Sequence, residues 1–139
     1  MKLKLKLSAI ALLSMIVPGH ARTAMLTNAE ATFLDQLVTA AAVLGQRCAG
    51  YEVNGTGSVQ LGARLLGSAD AAMAMIDAFD AAIKAHDGND YDPSKFRAEV
   101  SEAASKTSNR IQADLIKNPK VACADYGDTS VARGLLSRY

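Results

Sequence analysis

Cys48 and Cys123 are the only cysteines in the sequence, and they are far apart along it. Redox-active pairs usually stand two residues apart, which lets one thiol resolve the other. A distant, isolated pair in an exported protein instead reads as a structural disulfide. A Cys48–Cys123 bond would close a loop across most of the chain. The chain-entropy treatment gives such a loop a stabilisation of about 4.5 kcal/mol.

The second chemical candidate is His86 with the polar run Asp87-Gly88-Asn89-Asp90-Tyr91-Asp92 behind it. An imidazole beside carboxylates could act as a general base or a metal ligand. The alternative is a cation in the last turn of a helix, which the helix dipole favours. Registered on Asp87, a calcium loop would need glycine at its sixth position and glutamate at its twelfth, where Asp92 and Ala98 stand. Turn and capping chemistry accounts for the run without a metal. The carboxylate pairs Asp77/Asp80 and Glu99/Glu102 stand one helical turn apart, as solvated helix faces often do. Gly55, Gly57 and Gly62 lack the following Lys-Ser/Thr of a phosphate-binding loop, and no nucleophile-elbow motif is present. The sequence therefore nominates no catalytic, metal or cofactor site.

The compartment is read from the first residues. Lys2, Lys4 and Lys6 precede the apolar stretch 7–17, and Gly19 and Ala21 supply small residues after it. That layout predicts a secretory signal peptide over residues 1–21, cut after Ala21, and suits a bacterium. The apolar run is well short of the ~20 residues a spanning helix needs, so no stable membrane insertion is expected after cleavage. Residues 22–139 then form one domain, periplasmic or secreted. Cleavage removes those three lysines and no acid. It leaves 12 basic side chains (15 less these three) against 14 acidic ones, so neither nucleic acid nor an anionic membrane is an expected partner.

The elements that position these residues read as helices. Thr27 and Glu30 form a capping-box pattern at the head of a helix over 28–49. Its stripe is Leu34, Leu37, Ala41, Leu44, Cys48 and Tyr51, widened by Phe33 and Val38. Asn54-Gly55-Thr56-Gly57 breaks the chain, and Thr56 or Ser58 is suited to cap the next helix. A long central helix is predicted over 58–85, with Leu61, Leu65, Ala69, Met73, Ile76, Phe79 and Ile83 as its stripe. Gly62 and Gly67 each cost it about 1 kcal/mol relative to alanine, so either the helix breaks near Gly67 or another chain segment passes close. Gly88 fits the left-handed residue after this helix.

Asp92 and Pro93 are suited to open a third helix, buried through Phe96, Val100, Ala103, Ala104, Thr107, Ile111 and Leu115. Asn118-Pro119 stops it. A short C-terminal helical element follows through Val121, Cys123 and Tyr126 to Gly127, with a last turn or two near Val131, Leu135 and Leu136. No strand shows alternation. Acids crowd Asp70–Asp92 and bases crowd Lys95–Arg138, so the second and third helices would face each other with opposite charge.

These observations predict an all-α, small helical bundle of three longer helices and a short C-terminal helical element, held by one disulfide. The expected function is non-enzymatic binding, with a protein partner in the cell envelope. Two rivals remain open. One is a small periplasmic hydrolase or metal-dependent enzyme centred on His86 and the Asp87–Asp92 loop. The other is a periplasmic stress chaperone that exposes apolar faces on acidification.

Overall fold

Thr27 caps the first helix of the described chain. Its hydroxyl accepts from the Glu30 backbone N–H at 3.1 Å, and its own N–H donates to the Glu30 carboxylate at 3.0 Å. A computed structural model describes residues 25–139. The expected signal peptide over 1–21 and the cut after Ala21 lie outside the described residues. Helix α1 (Asn28–Leu37) runs without a break into a π-helical segment (Val38–Leu44) and a last α-turn, α2 (Gly45–Arg47). Thr39 donates its hydroxyl to the Asp35 carbonyl at 2.8 Å, where the winding widens. Such back-bonding by a helical threonine competes with the backbone ladder. The wider winding shifts the buried face. Ala40 and Val43 are buried there, and Ala41, which the 3.6-residue period places inward, is only half-buried.

The central helix is not continuous. Asn54, not Thr56 or Ser58, caps α3 (Gly55–Leu66), its side chain accepting from Gly57 N–H at 2.9 Å. Gly67 then takes φ +92°, a left-handed conformation that suits glycine, and Ser68 caps α4 (Ala69–His86). The break resets the helical phase. Met73 is 44 % exposed and Ala69 is exposed, while Ala72, Met75, Ala78, Phe79 and Ala82 form the buried face. Gly62 has a different role. A Cβ at that position would stand 2.7 Å from both Ala72 Cβ and Phe33 Cζ, so its bare backbone is what lets α3 lie against α4 and the Phe33 ring.

Asp92 and Pro93 do not start the third helix. Asp92 folds a turn onto Ser94, accepting from its backbone N–H at 3.0 Å and its hydroxyl at 2.6 Å. Those two bonds hold the Asp92 carboxyl below its ordinary pKa, the hydroxyl bond being the larger cause. Helix α5 (Ala98–Lys117) begins after Arg97 and buries Val100, Ile111 and Leu115 as its spacing predicts. Asn118 caps α6 (Pro119–Ala132), which is longer than the sequence reading allows. Gly127 does not end it. A Cβ on Gly127 would stand 2.5 Å from Tyr51 Cζ, so this glycine seats the Tyr51 ring on the helix.

The chain also contains a strand pair that the sequence reading did not expect. β1 (Tyr51–Val53) and β2 (Leu136–Arg138) run antiparallel, with Tyr51 opposite Arg138, Glu52 opposite Ser137 and Val53 opposite Leu136. Strands of three residues are too short to display a two-residue period. What holds them is long-range. Asn54 N–H donates to Leu135 O at 2.9 Å, Tyr139 N–H to Gly50 O at 3.2 Å, and Cys48 is bonded to Cys123 with Cα atoms 5.7 Å apart.

The fold is thus an all-α bundle with one disulfide and a small strand pair. Its core has two parts. One surrounds the disulfide with Val43, Leu44, Leu61, Ile111, Leu115, Leu135 and Leu136. The other gathers Phe33, Leu34, Leu37, Val38, Met75, Phe79 and Val100. Among the described residues no helix is long and apolar enough to cross a membrane.

Candidate functional site

The π-helical segment, α4 and α5 do not close completely on one another. A groove of ≈ 290 Å³ remains among them. Its floor is apolar: Val38 and Ala42 from the π segment, Phe79, Ala82 and Ile83 from α4, and Ala104 from α5. Three of these six are alanines, which supply too little volume to fill the gap between three helices. The wall is neutral and polar. Ser101, Ser105, Ser108, Asn109 and Gln112 recur every one to four positions along one side of α5, and Gln46 faces them from α2. Gln112 is held in place, its amide N–H donating to Ser108 Oγ at 2.8 Å while its oxygen accepts from Arg47 at 3.5 Å. Among the described residues, the side chains of Gln46, Ser101, Ser105 and Asn109 have no hydrogen-bond partner.

The opposite side of α5 differs. There Arg110 donates to Asp35 at 2.8 Å and Thr107 to the same carboxylate oxygen at 3.0 Å. Arg97 donates to Glu30 at 2.9 Å and to Glu99 at 2.7 Å. The Thr27 N–H bond is the leading cause that holds the Glu30 carboxyl below the usual glutamate pKa; partial burial opposes it, and the Arg97 guanidinium adds to it. Arg97 and Arg110 thus reach the first helix. Lys95 reaches α4 instead, at Asp77, 3.1 Å away. A second depression lies beside Glu30 and Arg97, but these two charges are already paired with each other.

His86 stands at the mouth of the groove with its side chain 77 % exposed, its Nδ1 3.2 Å from the Asp87 carboxylate. The rest of the Asp87–Asp92 loop does not gather around it. Asn89 and Asp90 are exposed, and Asp92 is committed to its turn. The carboxylate pairs are dispersed too: Asp77 pairs with Lys95, Asp80 with Lys84 and Glu99 with Arg97. Among the described residues no group of three or more His, Cys, Asp or Glu side chains is placed to hold a metal ion. Cys48 and Cys123 are consumed by their bond.

The neutral polar residues that wall the groove were not singled out from the sequence, although a signal for them exists. Within SEAASKTSNRIQ, Ser101, Ser105, Ser108 and Gln112 trace a neutral row on a helix that is otherwise rich in charge. Comparison with protein-family models, curated proteins and solved structures finds no match for the chain.

Proposed function

We propose that this chain is an exported, non-enzymatic protein that acts by binding another protein in the cell envelope, and that the groove among the π segment, α4 and α5 is its binding face. The observation that carries this reading is the pairing of an apolar floor with a wall of neutral hydrogen-bonding side chains. Concave sites with an apolar lining and a few convergent polar groups are where proteins bind ligands. A Cys48–Cys123 disulfide is compatible with export, since such bonds persist in oxidising compartments. The test is a photo-crosslinking amino acid at position 105 in cells that express the protein, with position 120 on α6 as the control. A discrete adduct from 105 alone, on protein recovered from the periplasm or medium with Arg22 at its N-terminus, is the expected result. No adduct from 105, or protein retained in the cytoplasm, defeats the reading.

A second reading, a small hydrolase, rests on one observation. The groove collects His86, Asp87 and three serines within the same lining. The imidazole, however, is largely solvated, and among the described residues it hydrogen-bonds to Asp87 and to no serine. Labelling by a fluorophosphonate probe that disappears in His86→Ala would favour the hydrolase over the binding protein.

A further inference from the structure

We propose that the Cys48–Cys123 bond is a redox latch on α6: while the two thiols are reduced, the other helices pack and α6 stays undocked, so the fold is completed only where they can be oxidised. The inference rests on the reading of the chain as exported, and names the step of export at which the fold closes.

The reason lies in how little α6 buries. Its 14 residues bury Ala122, Gly127 and Ser130 and no large side chain. Cys123, Tyr126 and Val131 are half-buried, and Val121 is exposed. A helix is held in place mainly by the apolar surface it buries, and three small residues supply little of it. Its neighbours differ. α4 buries Met75 and Phe79, and α5 buries Val100, Ile111 and Leu115. The core around Phe33, Met75, Phe79 and Val100 contains no residue of α6, so it can form before α6 docks. Two tyrosines add polar ties, Tyr126 donating to the Asp114 carboxylate at 2.6 Å and Tyr51 to Asp128 at 3.3 Å. Leu135 and Leu136, each 1 % exposed, anchor the chain beyond α6 and leave the helix itself to the disulfide. The strand pair depends on α6 in turn, because the Tyr51 ring of β1 is seated on Gly127.

Cytoplasmic thiols are kept reduced, and disulfides persist in oxidising compartments. Closure is an exchange with an oxidant that is itself a disulfide, either of an oxidoreductase or of glutathione. Cys123 is the sulfur placed to react first, since it is half-exposed even with α6 docked, whereas Cys48 is 5 % exposed. The Cys123 thiolate attacks one sulfur of the oxidant and expels the other as a thiolate. The Cys48 thiolate then attacks the Cys123 sulfur of this mixed disulfide, forms the Cys48–Cys123 bond and expels the second thiolate. Two electrons and two protons leave the protein, and the oxidant takes them up as two thiols.

The experiment follows amide exchange by mass spectrometry on the purified protein in three states: oxidised, reduced with dithiothreitol, and reoxidised with glutathione disulfide. Dithiothreitol runs the exchange in reverse and closes to its own cyclic disulfide. On reduction the amides of α6 should exchange at least a hundredfold faster and those of α4 less than tenfold faster, and reoxidation should restore both. A variant carrying both Cys48→Ser and Cys123→Ser should match the reduced protein and ignore dithiothreitol. Reduced protein whose α6 stays as protected as in the oxidised form overturns the latch. So does an equal loss of protection in α4 and α6, which would make the bond a staple of the whole fold. Either result leaves the export reading standing. If α6 opens as expected but the chain made in cells remains in the cytoplasm, the timing by export falls together with the export reading.

Discussion

Around Cys48–Cys123 the chain is fastened covalently. The bond joins the end of the first helix to α6, and the strand pair, Leu135 and Leu136 close over it. Farther toward the N-terminus of the same helix, around Phe33 and Phe79, the fastening is side-chain packing flanked by ion pairs from α5 to Glu30 and Asp35. The first region assembles residues from nearly the whole sequence, from Val43 to Leu136, so its loops are long to close. A disulfide acts there by restricting the unfolded chain, and its effect grows with loop length. The second region needs no such bond, because α4 brings Ala72, Met75, Phe79 and Ala82 to it on one continuous face. The groove borders the second region and shares Val38, Phe79 and Ala82 with it. The proposed binding face is thus set beside the part of the molecule whose fastening is reversible.

Removing the staple should have one of the two largest effects. Cys123→Ser is expected to lower stability by up to about 4.5 kcal/mol. Amide exchange should accelerate in α6 and in the strand pair while α4 keeps its protection, and thermal melts followed by exchange mass spectrometry would read both. Uniform loss of protection across α4 and α6 would show that the two regions are one cooperative unit. Met75→Ala strikes the other region. Met75 is 2 % exposed, and a buried Met→Ala truncation costs about 2–5 kcal/mol. The variant should melt earlier in urea with α6 still protected, the reverse of the cysteine variant. Gly62→Ala tests the contact between α3 and α4. Helix propensity favours the alanine by about 1 kcal/mol. Overpacking against Phe33 and Ala72, each 2.7 Å from the added Cβ, opposes it by about 1–3 kcal/mol. A net loss of about 1 kcal/mol is expected, and a gain in the urea midpoint would mean the Phe33 ring moves freely aside.

The sequence made the second region more legible than the first. Leu34, Leu37, Phe79 and Val100 there fall on faces that a 3.6-residue period predicts, and the Thr27–Glu30 box marks a helix start correctly. Local signals end where the backbone leaves that period. The π winding at Val38–Leu44 moves Ala40 inward, and the left-handed Gly67 rotates the stripe of α4 from Met73 to Ala72 and Met75. Gly127 looks like a terminator until the Tyr51 ring that needs its space is known. The strand pair was invisible because nothing in three residues announces a partner at the far end of the chain. The disulfide could be read because two cysteines allow one intramolecular pairing. The groove could not be, because half of its floor is alanine and the gap those alanines leave is fixed only by packing.

The smallest expected effect concerns how the second region responds to acid. Glu30 accepts from Thr27 N–H and, through its other oxygen, from Arg97 at 2.9 Å, so its folded-state pKa lies below its unfolded one. The unfolded chain therefore takes up the proton more readily. The stability Glu30 contributes is complete above the unfolded value of ~4.3 and is lost as pH falls through the lower, folded value. Glu30→Gln keeps an oxygen that can reach the Thr27 N–H, since glutamine also serves in capping boxes, but loses the charge facing Arg97. At pH 7 the variant should melt slightly earlier, by the ~0–1 kcal/mol of a partly exposed ion pair. The gap between variant and parent should then close as pH is lowered past ~4, because the parent loses the same charge. Melts of both proteins from pH 7 to pH 3 would measure the gap. A gap that stays constant down to pH 3 would assign the effect to the shape of the cap and leave the ion pair to Arg97 without weight. A closing gap would place an acid-sensitive fastening on the first helix in the region that borders the groove, remote from the disulfide that holds the other.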